Sequence, residues 1–152
     1  MRIHVDVDLC RGCEACELVC SLIHEGESNP QLARVQVRKD LATYTFTIIL
    51  CEQCQLNGQT PECISACPSQ AIGFDERGVV VIQQAECMQC GACIEACPYH
   101  AIFLNEKTGL YFKCEMCSDL DRPMCVEICP VGALVIESAI QAQGTSEKVG
   151  TI

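Results

Sequence analysis

Sixteen cysteines fall in four quartets along this chain of 152 residues, and their spacing is typical of thiolates that hold iron–sulfur clusters. Each quartet begins with a Cys-x2-Cys pair and ends with a Cys-x3-Cys step. Because four thiolates hold one [4Fe–4S] cluster, the complete set predicts four such clusters. The quartets are Cys10, Cys13, Cys16 and Cys20; Cys51, Cys54, Cys63 and Cys67; Cys87, Cys90, Cys93 and Cys97; and Cys114, Cys117, Cys125 and Cys129.

The quartets differ only in the gap before their third cysteine. The first and third have the compact spacing C-x2-C-x2-C-x3-C, which is the bacterial ferredoxin run. The second and fourth widen that gap to eight and seven residues. A loop is inserted there, and no ligand is lost.

Spacing leaves open which quartets share clusters. One local loop reaches three irons of a cubane, and in two-cluster ferredoxins the last cysteine of the run binds the other cluster. Quartets therefore work in pairs. The first can pair with the second and the third with the fourth, or the first can pair with the fourth around a nested second and third.

Other cysteine chemistries fit the spacing poorly. Structural zinc sites use two Cys-x2-Cys pairs and have no need of a third cysteine followed by Cys-x3-Cys-Pro. A [3Fe–4S] centre lacks one ligand, and no quartet here is short of one. No nucleophile–base pair, phosphate loop, dinucleotide fingerprint or carboxylate pair stands out, so we predict no catalytic residue and no substrate chemistry.

Net charge and the distribution of apolar residues limit the kinds of partner and the cellular location that we expect. The formal net charge is −10, and bound clusters add further negative charge, which argues against nucleic acid or an anionic membrane as partner. No apolar run approaches the roughly 20 residues of a membrane span. No apolar export segment precedes Cys10, so we expect a cytoplasmic protein without a disulfide framework. With no Trp and little ordinary core, the metal-free chain is expected not to fold.

A repeat follows the last cysteine of three quartets, which read CPSQAI, CPYHAI and CPVGAL. Each predicts one helical turn carrying the last cysteine, a proline that ends it, and a strand. These strands are expected at Ile72–Phe74, Ile102–Leu104 and Leu134–Ile136. Turn residues at 75–78 and 105–109 predict two hairpins.

The first quartet departs from this repeat, because Ser21 and not proline follows Cys20. We interpret residues 21–43 as an elaboration that covers a cluster or forms a partner surface, followed by a strand at about 44–50. Asn29-Pro30 within it indicates a turn. The polar residues 139–152 are expected to form a tail, which either docks onto a partner or is disordered.

A few histidines and aromatic residues invite functional interpretations. His24 is expected to cap a turn or lie on the surface, although a relay role stays open. His100 stands where glycine often follows Cys-Pro, and it either tunes a cluster potential or is exposed. Tyr99, Tyr111 and Phe112 are expected to shield clusters from water.

The stretches CEQCQLNGQTPECISACPSQAI, CMQCGACIEACPYHAI and CEMCSDLDRPMCVEICPVGAL resemble the four-cluster iron–sulfur subunits of the dimethyl sulfoxide reductase type. The resemblance covers about residues 5–138. It implies an α+β fold of two bacterial-ferredoxin-like dicluster modules in a pseudo-twofold arrangement, with short hairpins and helices. The first module would comprise residues 1–50 and 107–138, the second residues 51–106, and the tail residues 139–152.

In that family the pairing is nested, so the resemblance implies four ligand sets. Each set joins three cysteines of one quartet with the last cysteine of another. Carried over by position, the sets are Cys10, Cys13 and Cys16 with Cys129; Cys114, Cys117 and Cys125 with Cys20; Cys51, Cys54 and Cys63 with Cys97; and Cys87, Cys90 and Cys93 with Cys67.

Within this family, CRGCEACELVCSLIHEGESNPQLARVQV is similar to small electron-transfer subunits of cytoplasmic tungsten aldehyde oxidoreductases from anaerobes. We expect a large metal-containing catalytic partner and a flavoprotein or ferredoxin as acceptor. Exposed cluster ends would also allow end-to-end self-association. Carbon monoxide dehydrogenase, benzoyl-CoA reductase, hydrogenase or formate dehydrogenase are alternative partners. A free soluble polyferredoxin is the alternative class.

Overall fold

A computed structural model describes residues 2–54 and 60–137. The predicted tail at 139–152 lies outside the described residues. The elements are β1 (Ile3–Val5), α1 (Ala15–Glu25), a 3-10 turn (Pro30–Leu32), β2 (Val35–Asp40), β3 (Thr45–Leu50), α2 (Glu62–Ser65), β4 (Ile72–Phe74), β5 (Val80–Ile82), α3 (Ala92–Ala96), β6 (Ile102–Asn105), β7 (Leu110–Lys113), α4 (Met124–Glu127) and β8 (Leu134–Ile136).

The strands form small antiparallel pairs. β2 pairs with β3, β4 with β5, and β6 with β7, each as a hairpin, while β1 pairs with β8 and joins the two ends of the described chain. The three strands predicted after Cys-Pro are confirmed as β4, β6 and β8, and the strand predicted near 44–50 is confirmed as β3. Both predicted hairpins are also confirmed.

The helical turns differ from the prediction in one respect. α2, α3 and α4 carry the third cysteine of their quartets, and each helix ends before the last cysteine. A residue before proline is disfavoured in the α region, so the chain leaves the helix there. Cys97, for example, is extended, with ψ at 112°.

α1 is longer because no proline follows Cys20. It has 11 residues and ends at Gly26, whose left-handed conformation (φ 74°) lets its N–H bond the carbonyl of Leu22. The Ser21 hydroxyl accepts a hydrogen bond from the Asn29 N–H at 3.0 Å, which folds the next segment back. The turn predicted at Asn29-Pro30 is present as the start of the 3-10 segment. The Asn29 side chain caps this segment by accepting a hydrogen bond from Gln31 N. The elaboration at 21–43 therefore consists of the end of α1, the 3-10 turn and β2.

Thiols make up a large minority of the core among the described residues. Eight of the 21 buried residues that form its main cluster are cysteines, and strand residues such as Val35, Leu50 and Leu134 supply the remainder. Neither described range contains a helix with the length and apolarity that crossing a membrane requires. The hairpin β6–β7 contains the proposed module boundary after residue 106, and the division into modules stays a prediction.

Candidate metal centres

Three cavities are each lined by four cysteines. Each takes three cysteines from one quartet and the last cysteine from another. Site A is lined by Cys10, Cys13, Cys16 and Cys129; site C by Cys51, Cys54, Cys63 and Cys97; and site D by Cys67, Cys87, Cys90 and Cys93.

The remaining four cysteines, Cys20, Cys114, Cys117 and Cys125, form a fourth group, site B. All four are buried. Burial raises the pKa of Cys125 well above its usual value, and the nearby Cys114, Cys20 and Cys117 raise it further. α1 and α4 pack against each other and so bring Cys20 close to Cys125.

A shared backbone turn shapes the Cys-x2-Cys loops. The residue just before the second cysteine has a positive φ in every quartet: 63° at Gly12, 57° at Gln53, 56° at Gln89 and 57° at Met116. A residue with positive φ that follows a right-handed one turns neighbouring backbone N–H groups towards a common anion. Accordingly, Gly12 N donates to Cys10 Sγ at 3.4 Å, and Met116 N donates to Cys114 Sγ at 3.5 Å.

Three of the four last cysteines of the quartets accept similar hydrogen bonds. Ala71 N donates to Cys67 Sγ and Ala133 N donates to Cys129 Sγ, both at 3.3 Å. No proline follows Cys20, but its Sγ accepts a hydrogen bond from Arg34 N at 3.2 Å. Arg34 is the residue just before β2. Nothing in the sequence predicts this role for Arg34, because the two residues are brought together only by the fold.

Three of the buried thiols hold their protons more strongly than a free cysteine does. Burial raises the pKa of Cys16 and of Cys114 to about 12, and that of Cys63 to about 11. The positive charge of Lys113 opposes the rise at Cys63. Because iron binds thiolates, cluster assembly must release these protons, which couples assembly to folding.

The cavities fit a group larger than one ion. Among residues 2–54 and 60–137, no three His, Cys, Asp or Glu side chains converge closely enough to hold a single metal ion. A zinc site requires thiolates about 2.3 Å from one ion. Four sulfurs around a cavity, with N–H groups directed at them, suit a [4Fe–4S] cubane instead.

Pairwise links connect the four sites in the order A–B–C–D, and we call this sequence of sites the row. α1 carries Cys16 of site A and Cys20 of site B, and α2 is followed by Cys67 of site D after Cys63 of site C. Sites B and C are neighbours, because Gln53 Nε2 of the site C loop donates to the Cys114 carbonyl at 3.1 Å. Of the sixteen cysteines only Cys13 and Cys90 are exposed, one at each end of the row.

His24 is not the exposed or turn-capping residue that we expected. Its Nδ1 lies 2.6 Å from Arg34 Nη1, and its Nε2 lies 3.8 Å from Cys117 Sγ. Burial, followed by the charge of Arg34, lowers the pKa of His24 to about 4. Because a guanidinium only donates, Nδ1 accepts and Nε2 carries the proton towards the sulfur.

The structure places His100 and two of the three aromatic residues near cysteine sites or at the surface, and cluster shielding stays a prediction. His100 is exposed, with φ at 52°, the conformation for which glycine is favoured. Tyr99 lines site C, Tyr111 lines site D, and Phe112 is buried against Phe103 at a ring distance of 5.7 Å.

Two buried polar residues near sites B and C have no counterpart among the sequence predictions. Lys113 and Gln53 are each 1% exposed, and both line site C. A lysine directly before a cysteine gives no signal of burial, because the packing that covers it comes from distant segments.

Comparisons with known proteins place this chain among iron–sulfur proteins. Residues 42–139 match the family described as 4Fe-4S dicluster domain, and residues 7–26 match the 4Fe-4S binding domain. The thiosulfate reductase electron transfer subunit of Salmonella typhi is 32% identical over 140 residues, which cover 85% of this chain and 71% of that protein. The aliphatic sulfonate oxidoreductase polyferredoxin-like subunit of Pyrococcus furiosus is 37% identical over 130 residues, covering 84% and 70%.

Two further similarities concern other oxidoreductases. The iron-sulfur subunit of the nitrate-inducible formate dehydrogenase of Escherichia coli is 30% identical over 151 residues, which cover 86% of this chain and 51% of that protein. Among solved structures, the active site complex BamBC of benzoyl coenzyme A reductase matches with a TM-score of 0.51 and 27% identity, covering 88% of this chain and 74% of that chain.

Proposed function

This chain belongs to the 4Fe-4S dicluster domain family, and from that premise we propose that it carries electrons through four [4Fe–4S] clusters as a subunit of an oxidoreductase complex. Its relatives include electron-transfer and iron–sulfur subunits of such complexes. The chain itself supplies ligands and a path, and it supplies no substrate chemistry.

The observation that carries this proposal is the row of four cysteine sites with one exposed cysteine at each end. When bound, each cluster supplies one-electron redox chemistry. The sixteen cysteines named for sites A to D hold the clusters, and the backbone N–H groups at Gly12, Arg34, Ala71, Met116 and Ala133 stabilise the thiolate charge. All four cysteines of site B and three of the four at site C are buried, which limits the access of water to the middle of the path.

The proposal includes the two-module architecture. Sites A and B comprise the first module, from residues 1–50 and 107–138, and sites C and D the second, from residues 51–106. The pairing of β1 with β8 and the packing of α1 on α4 support the nested first module. We propose a pseudo-twofold relation between the modules, on the strength of the shared order of ligand loops.

For the catalytic partner we propose a tungsten-dependent aldehyde-oxidising subunit, on the resemblance of the motif around the first quartet. A flavoprotein or a soluble ferredoxin is the proposed acceptor. The names of the relatives also support thiosulfate, sulfonate, formate or benzoyl-CoA conversion as alternatives. A free polyferredoxin has less support, because the relatives named here are subunits.

The test is anaerobic purification of the native protein with its partners. We expect about sixteen iron and sixteen acid-labile sulfide per chain, since each cubane holds four of each. A large subunit containing tungsten, and aldehyde-dependent reduction of the clusters, would support the partner. Molybdenum or nickel in that subunit would change the identity of the proposed partner and leave the proposed electron-transfer function unchanged. A chain that elutes alone would favour the free polyferredoxin, and zinc in place of iron would overturn the proposal.

A further inference from the structure

Lys113 is a buried cation without a carboxylate partner. It is 1% exposed, and none of the ion pairs among residues 2–54 and 60–137 includes it. A buried ammonium is strongly unfavourable unless a nearby anion compensates it. By contrast, Arg34 near site B lies within 4 Å of the carboxylates of both Glu25 and Glu115. The compensating charge for Lys113 must come from another source.

Hydrogen bonds fix the position of the ammonium group. Lys113 Nζ donates to the Val80 carbonyl and, at 2.9 Å, to the Cys114 carbonyl. Gln53 braces the same two residues, because its Nε2 donates to the Cys114 carbonyl at 3.1 Å and its Oε1 accepts from the Val80 N–H at 2.9 Å. An ammonium has three N–H donors, and no third acceptor is found in the described parts of the chain.

This braced group lies between the two central sites. Lys113 and Gln53 line site C beside Cys51 and Cys63. Lys113 is also bonded in sequence to Cys114 of site B, and its Nζ contacts the carbonyl of that residue. Glu52 and Glu62 also line site C, but no ion pair joins either to Lys113 among the described residues. Two loaded clusters would place thiolates and sulfides beside the ammonium group, at site C and at site B.

We propose that Lys113 is the buried counter-cation of central sites B and C, and that its charge makes at least one of their clusters easier to reduce. The inference rests on the proposed cluster sites. Reduction adds one negative charge to a cluster, and a fixed positive charge in a poorly solvated site favours the reduced form. The middle of the path is thereby held accessible to electrons without exposure to water.

The test is redox potentiometry of the loaded protein, followed by electron paramagnetic resonance. For Lys113→Met, which keeps length and removes charge, we expect at least a tenfold loss in the reduction equilibrium constant of one central cluster. That corresponds to a midpoint lower by about 59 mV for a one-electron couple. Lys107→Met is the matched control, because its side chain is 71% exposed.

Two variants of Gln53 provide a second test, which can be used if Lys113→Met does not bind its clusters. Gln53→Met removes the brace and keeps the charge, whereas Gln53→Glu places a carboxylate beside the ammonium. We expect a tenfold lower reduction constant for Gln53→Glu than for Gln53→Met. Unchanged potentials in loaded Lys113→Met, or equal potentials in the Gln53 pair, would overturn the inference. Wild-type protein without sixteen iron would instead overturn the proposed sites.

Discussion

Gly12 combines two constraints at a single residue. Its φ is +63°, and a Cβ built there would lie 2.5 Å from Cδ1 of Phe46. Gly78 has a similar φ of +73°, but nothing lies within 4 Å of a Cβ built on it. The two glycines therefore share the backbone constraint and differ in steric contact.

We predict that Gly12→Ala accelerates thermal loss of clusters by about fivefold or more relative to Gly78→Ala. The reason is that both variants have the left-handed conformation, whereas only Gly12→Ala must displace a ring, at a cost of about 1 to 3 kcal/mol. The measurement is the decay of the iron–sulfur absorbance at raised temperature. Equal decay rates in the two variants would show that Phe46 moves aside without cost.

Some residue-scale features were predictable from the sequence, and others were not. The cysteines and the strands after Cys-Pro were predictable because their signals are local spacing and β-branched runs. The positive φ at Gln53, Gln89 and Met116 was not, since those residue types carry no such preference. Likewise, His24, Arg34 and Lys113 acquire their roles from contacts between distant segments.

At the scale of elements, Glu17 ties α1 to the edge of β2. Its side chain is buried, and its Oε1 accepts a hydrogen bond from Val37 N at 2.6 Å. Val37 is opposite Ile48 in the β2–β3 pair, and its N–H faces away from that strand towards Glu17. The sheet edge is thus satisfied by a helix side chain.

We expect Glu17→Leu to destabilise the holoprotein by about 1 to 3 kcal/mol, because it leaves a buried N–H without an acceptor. Glu17→Gln keeps an acceptor oxygen and is expected to cost less. Comparison of the two by thermal loss of cluster absorbance and by hydrogen exchange at Val37 is the measurement. If Val37 stays equally protected in both variants, the helix does not hold this edge.

The short helices separate consecutive cysteines into different sites. In the second quartet, Cys63 on α2 lines site C, and Cys67 after it lines site D. We predict that Cys67→Ser perturbs the cluster of Cys87, Cys90 and Cys93 and leaves that of Cys51, Cys54 and Cys63 fully ligated. Cys97→Ser is the reciprocal control, with the effects exchanged. Spectroscopy that places the Cys67→Ser perturbation on the cluster of Cys51 would refute the nested pairing.

Across the whole molecule, the groups that hold the clusters make up a large minority of the core. In residues 2–54 and 60–137, eight of the 21 residues of the main buried cluster are cysteines, which leaves 13 other residues for the core. We expect removal of iron by an anaerobic chelator to abolish most helical circular dichroism, because ligand binding supplies the folding free energy. Retention of the native spectrum after full iron removal would show that the strands and helices fold alone.

The two ends of the row present different surfaces to partners. Met88 lines site D and is 61% exposed, whereas Val131 lines site A and is 39% exposed. Electron exchange requires a partner to approach the outer clusters, and a new charge at an apolar contact opposes docking.

We predict that Met88→Asp slows electron exchange with one partner at least tenfold, and that Val131→Asp slows exchange with the other. Neither variant is expected to change iron content. Leu41→Asp is a matched control, because Leu41 is 70% exposed and lines neither outer site. The measurement is stopped-flow reduction by the catalytic subunit and oxidation by the acceptor, each followed separately. A path with distinct entry and exit requires the two variants to affect different half-reactions, so slowing of the same half-reaction by both would mean that one face serves both partners.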